Sequence, residues 1–184
     1  MSGSAHESES RTVSPARRWL WRYAGAPLFR MTPHNFNSVR RAILRAFGAR
    51  ITPTTKFRRS VRIDRPWNIS AGELTVVGDC AAFRAAEPIR IGDRCVVSQY
   101  AILTTEARDP DMPDHPVRTA PIAIEDDCWI ATDTLVLPGS HVRQGTVVGA
   151  RGLVEGELPG WSIAVGEPAV PRGRRELRPV EAPR

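Results

Sequence analysis

From Ile124 onward an isoleucine or valine returns at every sixth residue: Ile124, Ile130, Val136, Val142, Val148 and Val154. Four places after each of the first five stands a small residue: Cys128, Thr134, Ser140, Thr146 and Gly152. The same phase runs upstream, with Ile91, Val97 and Leu103 as anchors and Cys95 and Ala101 as small followers. A helix repeats its buried face every 3.6 residues and a half-buried strand every two, so a sixfold period fits neither. It fits a parallel β-helix, in which each short strand sends one large side chain into a narrow prism and then turns a tight corner. Three hexads make one coil, and stacked coils pair every strand with those above and below. Each buried Ile or Val contributes about 1.5–3 kcal/mol, and the two open ends require caps.

Before Ile91 the register loosens. Ile63, Ile69, Val77, Phe83 and Ile89 serve as anchors with uneven spacing. Asn35 to Phe47 carries Val39, Ala42, Ile43, Ala46 and Phe47 at helical spacing; Asn35, Asn37 or Ser38 is expected to cap its start and Gly48 to follow its end. This helix is expected to cover the first coil. Trp19, Trp21, Leu28 and Phe29 are expected to pack against the main domain, with Pro27 interrupting any long amphipathic helix. The resulting division is a disordered N-terminus over 1–16, a helical cap segment over 17–60, the β-helix over 61–170 with a loop at 104–120, and a basic tail over 171–184.

Basic residues outnumber acidic ones, 26 to 20, and Lys56 is the only lysine. No nucleic-acid module with interleaved aromatics is visible, so no nucleic-acid partner is expected. Three widely spaced cysteines without a CxxC suggest neither a disulfide framework nor a zinc ribbon. No apolar run suits a signal peptide or a transmembrane segment, so the expected compartment is the cytoplasm. Of the four histidines, His6 and His34 precede the repeats, leaving too few to converge on a metal.

Beyond the hexads, an ordered series of motifs runs through residues 18–172: Arg65-Pro-Trp-Asn-Ile69, Pro88-Ile-Arg-Ile-Gly-Asp93, Val97-Ser-Gln99, Pro121-Ile122, Cys128-Trp-Ile130, Pro138-Gly139, Val148-Gly-Ala150 and Gly166-Glu-Pro168. In these motifs the chain resembles the hexapeptide-repeat acyltransferases, most closely the colanic acid biosynthesis acetyltransferase group. The resemblance implies an all-β fold, a left-handed parallel β-helix with a short helical segment before it. It implies a homotrimer with acetyl-CoA in the groove between neighbouring copies. It also implies a histidine, on the segment after a central coil, that takes a proton from a sugar hydroxyl attacking the thioester.

Aligned with that family, Arg108 occupies the catalytic histidine's position, and a guanidinium stays protonated far above neutrality. A lost general base typically costs about 10²- to 10⁴-fold in rate. His115, seven residues on, is the one histidine of the loop. An imidazole titrates at about 6.5 in model peptides, which makes His115 the candidate base, with Arg108 holding an anionic acceptor or a developing oxyanion. Glu106, Asp109, Asp111 and Asp114 are further bases or turn formers beside Pro110, Pro113 and Pro116. The matching positions assign Asn68 and Trp129 to substrate, and Asp109 is a further substrate candidate on the loop. They assign Ala131, Thr132 and Ala150 to the cofactor, and Arg151, Arg172 and Arg174 are expected, from their charge, to meet its phosphates. Ala85 replaces the family's Asn or Asp at the acceptor site, and Gly156 replaces a cofactor-holding lysine. The expected activity is acyl-CoA-dependent O-acetylation of a sugar or secondary-metabolite hydroxyl. The alternative is a degenerate, non-acetylating scaffold or ligand-binding protein.

Overall fold

The computed structural model describes residues 13–177. From Arg50 onward the chain winds as a parallel β-solenoid with three faces. Face A stacks six strands: Arg50–Ile51, Ile69–Ala71, Ile89–Ile91, Ile122–Ile124, His141–Val142 and Glu157–Leu158. Face B stacks Lys56–Phe57, Val76–Val77, Val96–Val97, Trp129–Ile130, Val147–Val148 and Ser162–Gly166, then adds Ala169–Arg174. Face C stacks Arg62–Ile63, Ala82–Arg84, Ile102–Thr104, Leu135–Val136 and Leu153–Val154. Coil-to-coil pairings are all parallel, in the hexad register: Ile124 beside Val142, Ile130 beside Val148, Val136 beside Val154.

Each feature of the hexad has a separate physical role. The anchors Ile130, Val136, Val142, Val148 and Val154 are fully enclosed. Three places after the anchor the backbone turns into the left-handed region, at Leu74, Cys80, Arg94, Tyr100, Asp127, Asp133, Gly139, Gly145, Arg151 and Trp161. The small fourth residue can then tuck inside. At the corner between faces A and B this residue is a donor to the coil above. Thr55 Oγ1 donates to Gly72 O at 2.9 Å, Thr75 Oγ1 to Gly92 O at 2.7 Å and Cys95 Sγ to Glu125 O at 3.0 Å. Cys128 Sγ donates to Arg143 O at 3.1 Å and Thr146 Oγ1 to Pro159 O at 2.7 Å. The column leaves few buried carbonyls unpaired, and its two cysteines are thiols.

The uneven early spacing has a simple origin. At the corner between faces C and A the first two coils each take eight residues from anchor to anchor, Ile63 to Ala71 across the 3₁₀ turn Pro66–Asn68 and then Phe83 to Ile91, so Ala71, not Ile69, stacks with Ile51 and Ile91. Ile69 lies one layer over, beside Ile89 and Ile122. An alanine anchor is invisible to a search for large aliphatics.

The solenoid starts at Arg50, earlier than the boundary expected at 61, because the first coil is built by Ile51, Phe57 and Ile63. Strand N–H groups donate upward, as from Lys56 to Thr75 O and Arg58 to Val77 O, so the first coil's own carbonyls receive nothing from a coil beneath. Side chains of the cap supply the donors. Arg45 Nε reaches Ile51 O at 2.8 Å, Arg41 Nη1 reaches Thr55 O at 3.2 Å, Arg40 Nε reaches Phe57 O at 2.8 Å and Trp21 Nε1 reaches Ile63 O at 2.8 Å. The three arginines lie on helix α3 (Asn37–Ala46), whose start carries no side-chain cap. Asn37 Oδ1, expected to cap, accepts from Arg40 Nη2 instead, while Gly48 follows the helix in the expected left-handed conformation.

Pro27 does not end the preceding helix. The run α1 (Pro15–Leu20), a π-helical turn Trp21–Gly25 and α2 (Ala26–Met31) is continuous, and Ala26 N–H reaches five residues back to Trp21 O. The wider turn absorbs the missing proline donor. Of the aromatic and aliphatic residues expected to pack inward, Trp21 and Phe29 do; Trp19 and Leu28 face outward. The N-terminal segment expected to be disordered lies, up to residue 12, outside the described residues, and Pro15 already belongs to α1. At the other end, Pro171–Arg174 belong to a strand antiparallel to Ser162–Gly166, which closes face B. The tail expected from 171 is therefore docked through Arg174, and residues 178–184 lie outside the described residues.

Candidate functional site

After Ile102–Thr104 the chain leaves the prism at the corner between faces C and A. It forms an antiparallel hairpin, Glu106–Arg108 against Val117–Thr119, before rejoining at Ile122. The tip is closed from inside by Asp109. This carboxylate is buried; its Oδ1 accepts from Asp111 N at 3.1 Å and its Oδ2 faces the Arg118 guanidinium, while Asp109 N donates to Pro116 O at 3.0 Å. Asp109, expected at the substrate, is thus a turn former held within the hairpin. Arg108 and His115 do come together: Arg108 Nη1 donates to His115 O at 3.1 Å. His115 sits in the left-handed region (φ 43°) with its ring Nδ1 3.2 Å from Asp109 O. A carbonyl can only accept, so in the neutral ring Nδ1 carries the hydrogen and Nε2 keeps its lone pair. The residue is exposed.

Asn68 and Ala85 lie beneath the hairpin on the same corner. Asn68 Nδ2 donates to Ala85 O at 2.7 Å and Ala86 O at 3.0 Å, so its amide hydrogens serve the corner backbone. Ala85 is buried, and its N–H donates to Asp64 Oδ1 at 2.8 Å. Burial pushes the Asp64 carboxyl up, against the pull of the Ala85 N–H and Arg65. Arg65 in turn reaches Glu106 Oε2 at 3.8 Å. Asp64 was missed in the sequence. It directly follows the anchor Ile63, the position Arg84 and Thr104 hold in the next two coils, and stacking the coils correctly would have exposed it.

The cofactor candidates occupy another corner, between faces B and C. Trp129 stands half out of face B with Nε1 donating to Ser98 Oγ at 2.9 Å. Ala131 offers no free group: it is buried, its N–H donates to Val148 O and its carbonyl accepts from Thr134 Oγ1. Thr132 Oγ1 donates to Gln99 O at 2.9 Å, Ala150 is exposed, and the exposed Arg151 pairs with Asp133 at 3.4 Å. Arg172 and Arg174 are exposed on the terminal strand, and Gly156 has nothing within 4 Å of where a side chain would start. On the A–B corner, outward N–H groups are capped by carboxylates: Glu73 N by Asp93 at 2.6 Å, Asp93 N by Asp126 at 2.8 Å and Gln144 N by Glu125 at 2.9 Å. Among the described residues the Thr132 and Ala150 N–H groups have no such partner. A ligand with carbonyl acceptors fits there. The hairpin group and this group lie along opposite edges of face C, so one chain does not bring them together.

No family model matches the chain. WcaF of Escherichia coli (strain K12), named as a colanic acid biosynthesis acetyltransferase, is 37% identical over 151 residues, covering 82% of this chain and 83% of WcaF. The chain belongs to the hexapeptide-repeat acetyltransferase family. Solved structures share the fold of this acetyltransferase at lower identity. A galactoside acetyltransferase in complex with coenzyme A superimposes with a TM-score of 0.81 at 17% identity, over 88% of this chain and 82% of that one. A maltose O-acetyltransferase from Clostridium difficile 630 gives 0.76 at 23% identity, over 88% and 87%. The acetyltransferase VCA0836 from Vibrio cholerae, complexed with acetyl coenzyme A, gives 0.72 at 22% identity, over 88% of both chains.

Proposed function

We propose that this acetyltransferase moves an acetyl group from acetyl-CoA to a hydroxyl of a sugar or secondary metabolite, with His115 as the base. The observation that carries this reading is the approach of His115 Nδ1 to Asp109 O at 3.2 Å, which favours the hydrogen on Nδ1 and leaves the Nε2 lone pair at the exposed end of the hairpin. There Nε2 accepts the proton of the attacking hydroxyl. Arg108 uses one of its five donors on His115 O, which fixes the hairpin, and its remaining charge suits an anionic acceptor. Acetyl-CoA, when bound, supplies the activated acetyl thioester. The free Thr132 and Ala150 N–H groups fit its amide carbonyls, and Arg151, Arg172 and Arg174 fit its phosphates.

A homotrimer is supported by the character of the faces. Outward positions on face A are Arg50, Ser70, Arg90, Ala123, His141 and Glu157. Those on face B include Val76, Val96, Trp129, Val147 and Ile163, and those on face C include Ala82, Ile102, Leu135 and Leu153. Apolar faces B and C packed between copies would set one copy's hairpin against a neighbour's B–C corner, completing a site that one chain leaves divided. Free thiols at Cys80, Cys95 and Cys128 support a reducing compartment, the cytoplasm.

The test is release of free thiol from acetyl-CoA by the purified protein with a panel of sugar acceptors. His115→Ala is expected to slow release about 10²-fold or more; undiminished turnover removes His115 from the mechanism. Arg108→His separates the scaffold reading, under which activity appears only in that variant.

A further inference from the structure

Thirteen of the 26 basic residues, and none of the acidic ones, lie between Arg11 and Ile63. The fold gathers the described part of that stretch at one end of the solenoid, as the helical cap and the first coil. Arg18, Arg22, Arg30, Arg50, Lys56, Arg58, Arg59 and Arg62 are exposed there. The same end presents an apolar surface. Along the continuous helix, Trp21, Gly25 and Phe29 face the core at spacings of four. The opposite side shows Trp19 at 63% exposure, Leu20 at 49%, Tyr23 at 58%, Leu28 at 56% and Met31 at 79%. The Trp19 and Tyr23 rings meet at a tilt of 42° with centroids 5.1 Å apart, and the Arg22 guanidinium lies 5.5 Å from the Tyr23 ring.

We propose that this end of the protein docks on the surface of an anionic phospholipid bilayer, with Trp19, Leu20, Tyr23, Leu28 and Met31 entering the boundary between headgroups and acyl chains. A helix that is apolar on one side and flanked by arginines lies in such an interface, the rings at headgroup level and the guanidinium groups on lipid phosphates. No helix among the described residues is long and apolar enough to cross a membrane, so the attachment is peripheral. Charge complementarity selects the occupant. A second copy docked face to face would bring two arginine-rich surfaces together, each with Asp79 of the next coil beside Arg58 but with the arginines of the helical cap facing like charge. A nucleic acid would match the arginines but leave Leu20, Leu28 and Met31 without use.

Flotation of the full-length protein with phosphatidylcholine vesicles, with and without phosphatidylglycerol, tests the proposal. The protein is expected to float with the anionic vesicles only. Removing Arg18, Arg22 or Arg30 as glutamine should lower the partition coefficient about fivefold each, and Trp19→Ser/Leu28→Ser/Met31→Ser should lower it more than tenfold. A helical spectrum and melting curve matching those of the unaltered chain would establish that this variant is folded. On the unaltered chain, acyl-brominated anionic lipids should quench tryptophan emission, and Trp19→Phe should lose that quenching. Absence of flotation, absence of quenching, equal flotation of the apolar variant, or tighter capture of a DNA duplex than of vesicles each overturns the proposal.

Discussion

Replacing Arg40 by methionine tests how the open end of the solenoid is closed. Arg40 is 1% exposed, yet all five of its N–H groups have acceptors: Phe57 O, Thr32 Oγ1, Pro33 O, His34 O and Asn37 Oδ1, at 2.7–2.9 Å. Methionine matches the length of the stem and removes every donor. Pro33, His34 and Asn37 have access to solvent and can turn to water, and Thr32 Oγ1 keeps its own bond to Phe29 O at 2.8 Å, but Phe57 O belongs to a buried residue and is left unpaired. An orphaned buried acceptor costs about 1–3 kcal/mol and the lost bond from the charged guanidinium to Thr32 about 1.5–3 kcal/mol, so the substitution costs about 2–6 kcal/mol. Part of this is returned, because the guanidinium is held below its ordinary pKa, first by burial and then by Arg58, Arg41 and Arg59. The expected net loss is about 2–4 kcal/mol by urea denaturation, equivalent to about 5–15 °C in Tm for a chain of this size. Arg40→Lys should fall between, since an ammonium offers three donors from one point. A loss under about 1 kcal/mol for the methionine variant would refute the reasoning and mean that water caps the first coil unaided.

Two further perturbations probe the coil lattice. A side chain started at Gly92 would lie 2.7 Å from Asp126 N and 2.8 Å from Glu125 C in the coil above, whereas Gly156 has open space and only a left-handed backbone. Gly92→Ala is therefore expected to destabilise by about 2–3 kcal/mol and Gly156→Ala by about 1 kcal/mol; equal losses in thermal melts would show that the coils are not stacked as described. Acid should loosen the A–B corner. Arg94 holds the Asp127 carboxyl below its ordinary range, so this stability is complete above the unfolded carboxylate value of about 3.9 and is lost as pH falls through the lower folded value. Glu125 acts in the same sense: burial pushes it up, but the Gln144 N–H, His141 and Arg143 outweigh that. Asp127→Asn should flatten the fall in stability below pH ~4, and an unchanged acid limb in that variant would remove the pair from the account.

The hexad alone determined the architecture of this protein, because every anchor from Ile91 to Val154 meets the same demand: a large aliphatic side chain inside and a small one at the corner. That demand is local and repeats, so it is written along the chain. The motif series carried the family, and with it the positions of Arg108, Trp129 and Ala150. Three things were decided only by folding. Ala71 became an anchor because the turn at Pro66–Asn68 shifted the register, and alanine carries no periodic signal. Asp109 turned inward while His115 stayed outside, because the hairpin's register set Arg118 against one and the Asp109 carbonyl against the other. The N-terminal helix sent Trp21 and Phe29 inward and left Trp19 and Leu28 in solvent, because a π-helical turn before Pro27 rotated one half against the other. These outcomes depend on turn geometry and side-chain contacts that exist only once the chain is folded, which spacing does not encode.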